Sequence, residues 1–221
     1  MKVDDDLRTL REQLLAMTGR VEANIRQSVE ALAERDTRAA QAVIEADRDV
    51  NRREVEIDEL CRKLLSAPLP SQTDLRFVTT ALKIVTDLER MGDLAVNIAE
   101  RAIDLNQAPP LKPYHDLHKL ADLAQSQLKL ALDAFVEGDP ARAEEVLKGD
   151  DLLDALYHRI FNELLLIMME DSKNIRRATA LMFVAKHLER IGDHVTNVAE
   201  MVVFMVRGED IRHLGSRIGS R

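Results

Sequence analysis

Apolar residues recur at three- and four-residue steps along almost the whole chain, the period of an amphipathic helix. Leu7, Leu10, Leu14, Met17, Val21, Ile25, Ser28 and Leu32 predict a first helix from about Asp5 to Glu34. Arg35-Asp36-Thr37 interrupts it, with Asp36 or Thr37 suited to cap the next helix. That second helix runs to about Ser66 and ends before Pro68 and Pro70, which cannot continue it. Ser71 to Asp74 caps a third helix reaching Asn106. After the stiff segment Ala108 to Pro113, a fourth helix is expected from Tyr114 to Glu137. Gly138-Asp139-Pro140 breaks the pattern, with Asp139 as cap and Pro140 at the first helical position. The fifth helix extends to Glu170, and the sixth ends at Arg207-Gly208, a glycine stop. Several of these helices hold roughly thirty residues, far above the globular mean of about 11–12, and long helices with short connections fold back as antiparallel bundles.

The pattern occurs twice. Leu88-Glu89-Arg90-Met91-Gly92-Asp93-Leu94-Ala95-Val96-Asn97-Ile98-Ala99-Glu100 returns one hundred residues later as Leu188-Glu189-Arg190-Ile191-Gly192-Asp193-His194-Val195-Thr196-Asn197-Val198-Ala199-Glu200. The second helices match at an offset of 103, so that Val43, Asp47 and Asn51 align with Val146, Asp150 and Asp154. A long internal period decides symmetry before anything else. The expected fold is all-α: two tandem three-helix bundles, six long antiparallel helices related by a pseudo-twofold axis. Residues 1–107 form the first unit, 108–113 a proline-rich joint, 114–208 the second unit and 209–221 a frayed tail.

Within the duplicated stretch, Glu89, Asp93 and Asn97 stand four apart, each about 40° round from the last at about 100° per residue. Glu189, Asp193 and Asn197 repeat the arrangement, and Glu100 and Glu200 fall on the same faces. A polar face at this spacing is ordinarily just solvated surface. Here, however, the polar positions are the ones that match between copies, where solvated positions normally drift. Acidic pairs at i and i+4 repel by roughly 0.2–0.5 kcal/mol, and an oxygen-seeking cation reverses the sign. Asp47 with Asn51, and Asp150 with Asp154, place a second oxygen pair on a second helix of each unit. Side by side in a bundle, the pairs could meet at one cation. The carboxylates lie about 100–140° from the apolar stripe through Ala81, Val85, Leu88, Ala95 and Ala99, so the site is expected in a groove or on the surface. Gly92 and Gly192, each costing about 1 kcal/mol relative to alanine in a helix, suggest close approach of a neighbouring backbone.

Composition fits this picture. The 221 residues are 46% hydrophobic and 32% charged, with 3% aromatic residues and no tryptophan, which is helical rather than sheet-like usage. A formal net charge of −8 argues against nucleic acid held by bulk electrostatics. One cysteine, Cys61, excludes an intrachain disulfide or thiolate cluster and is expected as a small buried hydrophobe. Neither a signal peptide nor a membrane-spanning run is evident, since the longest apolar run, Leu164 to Met169, is far short of about 18 residues. A cytoplasmic protein is expected.

These residues resemble the PhoU family. The resemblance rests on the two copies of Leu-Glu-Arg-(Met/Ile)-Gly-Asp-x-x-x-Asn, on Val43 to Asn51, and on Val206-Arg207-Gly208-Glu209-Asp210-Ile211-Arg212-His213, and it covers about Leu7 to His213. It implies tandem three-helix bundles and a negative regulator of phosphate uptake and of the phosphate-starvation response. The implied partners are the ATPase subunit of the phosphate ABC transporter and the sensor histidine kinase of the phosphate two-component system, met at the inner membrane. A homodimer is expected. The family's E(D)xxxD motifs bind metal, including multinuclear iron clusters. Glu89-Asp93 and Glu189-Asp193 match that motif, Asp150-Asp154 fits it, and Asp47-Asn51 departs at its neutral second position. The expected ligands are thus Asp47, Asn51, Glu89, Asp93, Asn97, Asp150, Asp154, Glu189, Asp193 and Asn197, around a divalent or trivalent ion such as iron, manganese, magnesium or zinc.

A di-metal carboxylate protein of the ferritin type would need Glu-x-x-His pairs, and none of the six histidines has one. No nucleophile elbow, phosphate-cradling glycine loop or Ser/His/Asp pattern occurs, so no enzyme is expected. A helical scaffold unrelated to phosphate signalling remains as the alternative.

Overall fold

The computed structural model describes residues 2–67, 71–111 and 115–208. The expectations for Pro68, Pro70 and Pro113 and for the tail from 209 lie outside the described residues. Among those described, the chain is six α-helices and no strand: α1 (Lys2–Glu34), α2 (Thr37–Leu65), α3 (Gln72–Leu105), α4 (His115–Glu137), α5 (Pro140–Glu170) and α6 (Ile175–Arg207), with a 3-10 turn at Ser172–Asn174 before α6.

The two units start their second helices alike. Asp36 accepts hydrogen bonds from the Arg38 and Ala39 amides, and Asp139 accepts from those of Ala141 and Arg142. Each cap satisfies donors that a helix start otherwise leaves bare. The residue before each cap is left-handed: Gly138 at φ 66° and Arg35 at φ 59°. Glycine takes that conformation without strain, whereas a side chain costs about 1–2 kcal/mol. Arg35 retains it while donating Nη2 to the carbonyl of Asn106 at 2.7 Å. Gly208, at φ 75°, closes α6 by donating its amide to Phe204 O at 2.8 Å.

The halves are more than tethered. α1 packs on α3, α3 on α6, α6 on α4 and α4 on α1, so these four helices form a closed central core. α2 lies against α1 and α3, α5 lies against α4 and α6, and α2 and α5 do not meet among the described residues. Leu88 and Leu188 of the duplicated stretch are fully buried, as are Leu10, Leu14, Met17, Met91 and Phe135. Each such side chain contributes about 1.5–3 kcal/mol through burial. Cys61 is buried with them, and desolvation pushes its thiol up to about 12. Across the α3–α6 contact, His194 Nδ1 lies 2.7 Å from Asp87 Oδ1, tying the halves by a polar pair as well as by packing.

Candidate metal centres

Outer helices riding on inner ones create two grooves, α2 against α3 and α5 against α6. In the first, Asp47 is only 8% exposed, more deeply set than a solvated face would be. Asn51 donates Nδ2 to Asp47 Oδ2 at 3.0 Å, while Asp47 Oδ1 is buried with no hydrogen-bond partner. Gly92 explains how it fits. A Cβ at Gly92 would stand 2.9 Å from Asp47 Oδ1 and 3.1 Å from Val50 Cγ1. The close approach that the glycine permits is therefore by α2 side chains, not by its backbone. At Gly192 the neighbour is Leu153, whose methyl carbons would lie 2.8 and 3.0 Å from a Cβ.

The electrostatics tie the pairs together. Loss of water raises the Asp47 pKa above its ordinary 3.8, and the charge of Asp93 raises it further. Glu89 is pushed up by desolvation, then by Asp93, with Glu54 and Asp47 adding to it. In the second groove desolvation and then Asp154 raise Asp150, while the neighbouring Thr196 hydroxyl opposes the rise. Asp193, though exposed, is raised by loss of water on its groove side and next by Glu189, with Asp150 and Asp154 adding and Lys186 opposing. Like charges that raise one another's proton affinity are held within electrostatic reach. In each groove, the carboxylates of the two helices therefore lie within electrostatic reach of one another.

Two features, Lys186 and Thr196, lay outside the sequence reading. Lys186 forms an ion pair with Glu189 and stands 5.4 Å over the Tyr157 ring, so the second groove already contains a cation. Its spacing of three from Glu189 was the available signal. Thr196 borders the second groove, and Glu54, on the same helix face as Asp47, joins the first. Asn197 is turned to another partner: it is exposed, and its Nδ2 donates to Asp87 Oδ1 at 3.4 Å across the α3–α6 contact. Asn97 is half-buried. Among the described residues, no group of three or more His, Cys, Asp or Glu side chains encloses a point where an ion would sit, so a bound ion would require side-chain rotation. The donor set is oxygen throughout. The unpartnered Asp47 oxygen and the mutually repelling carboxylates suit a hard cation.

The raised carboxylates carry a pH signature. Their charged forms weaken the metal-free fold near neutrality, and that penalty is relieved as pH falls through the raised folded values, fully so below the unfolded ones. His187 works the other way. Desolvation, then Arg190 and Arg101, lower its proton affinity, so it withdraws stability as pH drops below its ordinary 6.5. A comparison separates the two. Relative to the double variant Asp47→Asn/Asp150→Asn, the metal-free parent is expected to gain stability in urea melts between about pH 6 and about pH 4. A parent that loses ground to the variant over that interval would show that these carboxylates are not destabilising one another.

An all-helical, internally duplicated protein with an acidic groove on each half is the class that fold and grooves define. The PhoU domain model matches it twice, over residues 14–102 and 117–202. The phosphate-specific transport system accessory protein PhoU homologue of Pseudomonas putida is 39% identical over 211 residues, 95% of this chain and 82% of its own. The homologue of the same description from Aquifex aeolicus is 39% identical over 213 residues, covering 96% of each chain. The crystal structure of PhoU from Pseudomonas aeruginosa superposes with a TM-score of 0.89 at 38% identity, over 93% of this chain and 99% of that one. The phosphate transport system regulatory protein PhoU from Streptococcus pneumoniae superposes with a TM-score of 0.85 at 30% identity, over 94% of this chain and 98% of that one. The chain belongs to the PhoU family.

Proposed function

We propose that this protein represses phosphate uptake and the phosphate-starvation response when phosphate is plentiful. It would act as a cytoplasmic homodimer that contacts the ATPase subunit of the phosphate ABC transporter and the sensor histidine kinase at the inner membrane, with metal held in the two acidic grooves. The observation that carries the reading is family membership along nearly the full chain, in a family whose members here bear the description of phosphate transport accessory protein. No helix among the described residues is long and apolar enough to cross a membrane, so recruitment would be through partners.

The outer face of α5 supports a protein-binding role. Leu152, Leu166 and Met169 are 65%, 60% and 77% exposed. Their counterparts on α2, by the 103-residue offset, are Asp49, Lys63 and Ser66. Asp49 is paired with Arg53 and Arg52, which hold its carboxyl down at about 2. At these three positions α5 is apolar where α2 is charged or polar, and exposed apolar patches mark contact surfaces.

In the grooves, Asp47, Glu89 and Asp93 would hold an ion on one side, and Asp150, Asp154, Glu189 and Asp193 on the other. A bound cation supplies positive charge that offsets the carboxylate repulsion. The protein's part is to set the spacing: through the bound cation, carboxylates reaching from both helices would tie α2 to α3 and α5 to α6, which would give the outer helices a defined register for a partner to read.

Loss of the gene is expected to leave phosphate-starvation genes expressed in phosphate-rich medium, measured by reporter activity. Normal repression in the deletion strain would remove the regulatory assignment. Met169→Glu, being on the surface, is expected to leave the fold intact and to reduce co-purification of the ATPase subunit or the kinase. Full recovery of both with that variant would exclude this face.

A further inference from the structure

The pseudo-twofold axis gives the α3–α6 pair two equivalent ends, each with a cavity where one helix begins beside the end of the other. At one end, where α3 starts and α6 finishes, a cavity of about 290 Å³ has two arginines, Arg11 and Arg76, against two carboxylates, Asp74 and Glu137. Phe77 stacks on Phe135 there at 5.2 Å, with the Arg11 guanidinium 4.6 Å over the Phe77 ring. Charge is balanced at that end. At the other end, where α6 starts and α3 finishes, the cavity is about 490 Å³ and has three arginines, Arg101, Arg176 and Arg177, against a single carboxylate, Asp104.

That imbalance is notable in a chain of net charge −8. Two of the three arginines are positioned by the fold. Arg101 pairs with Asp104 at 3.2 Å, and Arg177 donates to Pro109 O at 2.9 Å and to Asn174 Oδ1 at 2.6 Å. Arg176 is exposed and makes no hydrogen bond or ion pair among the described residues. Asn174 gives its Oδ1 to Arg177 rather than to a helix amide, and the turn that leads into α6 is capped instead by Asp171, whose carboxylate accepts from the Lys173 amide. Guanidinium groups gathered about one space repel unless an anion joins them, and their forked donors match phosphate oxygens. Beside them stands Phe183, 52% exposed, with its ring stacked toward His187 at 6.4 Å. Its counterpart in the first unit is Lys83.

We propose that the cavity between the end of α3 and the start of α6 binds the phosphate group of a small molecule, with Arg176 and Arg101 as the recognition pair and Arg177 holding the framework. The inference stands on this cavity alone and does not depend on metal in the grooves. The phosphate could be free orthophosphate or part of a nucleotide, whose ring would lie on Phe183.

The test is equilibrium dialysis of the full-length chain against labelled orthophosphate and, separately, ATP, at low ionic strength, before and after EDTA treatment. At least one is expected to bind, equally with and without chelator. Arg176→Ala should weaken it by about tenfold or more, the effect of losing a charge-assisted contact. Arg76→Ala, at the equivalent position of the charge-balanced cavity, should leave it unchanged. Orthophosphate binding assigns the ion itself; binding of ATP alone, weakened by Phe183→Ala, assigns a nucleotide-type ligand. If neither binds, or if binding disappears with the metal, the proposal is overturned. It is also overturned if Arg76→Ala weakens binding as much as Arg176→Ala does.

Discussion

The double variant Asp93→Ala/Asp193→Ala is expected to lose most of the metal that the parent carries when prepared without chelator, with helix content unchanged. Asp93 and Asp193 occupy the same position in the two repeats and reach into the two grooves. The side chain of Asp93 is 44% exposed and pairs with Arg90 at 3.3 Å, and Asp193 is exposed as well. Neither fills core space, so the truncations leave no cavity and no reason for a helix to melt. The metal-free variant should even be somewhat steadier than the metal-free parent. Asp93 is a source of the repulsion that raises Asp47 and Glu89, and Asp193 shares the second groove with Glu189, Asp150 and Asp154. Elemental analysis with circular dichroism reads both halves of this expectation. Unaltered metal content would return the acidic faces to ordinary solvated surface. The grooves should also differ in strength. Asp150, Asp154, Glu189 and Asp193 form the fuller carboxylate set, but an ion there must displace Lys186 from Glu189, just as an ion in the first groove must displace Arg90 from Glu89 and Asp93.

Gly192→Leu is expected to cost roughly 3 kcal/mol of stability, because overpacking a close-fitted core forces off-rotamer side chains and backbone shifts. Gly192 is buried, and its first added carbon already stands 2.8 Å from a methyl of fully buried Leu153. Alanine at either duplicated glycine is a finer probe. It recovers about 1 kcal/mol of helix propensity, and the outcome depends on whether the neighbour can give way. At Gly192 the neighbour is the flexible end of a leucine. At Gly92 it is stiff, β-branched Val50 together with the Asp47 carboxylate, so Gly92→Ala should destabilise more and should displace Asp47 and weaken metal in the first groove. Gly19 is the control. It is exposed within α1, with nothing within 4 Å of an added Cβ, and Gly19→Ala should stabilise by about 1 kcal/mol. Urea melts that rank Gly192→Leu beside Gly19→Ala would mean that the α5–α6 contact is looser than these distances require.

Most element boundaries could be read before any coordinates, because caps and breakers act within a few residues of themselves. Asp36, Ser71, Asp139 and Gly208 stand where their chemistry places them, and helix ends fall within about three residues of expectation. The duplication was equally plain, since matching residues at constant offset need no folding to be seen. The candidate ligands too could be picked from one helix at a time, as pairs at i and i+4.

What the chain could not disclose depends on which helices meet. Helical period says which face is apolar, not which neighbour covers it, so the central ring of α1, α3, α6 and α4, shared by both halves, had no one-dimensional signature. The same reason hid the depth of Asp47, which lies among polar neighbours in sequence yet is drawn into a groove because α3 offers a glycine opposite it. Asn197 bonding to Asp87, Lys186 standing over Tyr157 and Arg101 joining Arg176 and Arg177 at one end of α6 are likewise meetings between residues far apart along the chain. The fold class, the repeat and the acidic faces are local periodicities written in the order of residues. Burial, pairing and charge balance at each groove and cavity were decided by the α2–α3, α5–α6 and α3–α6 packing, because only contact between helices removes water from a side chain and sets one charge against another.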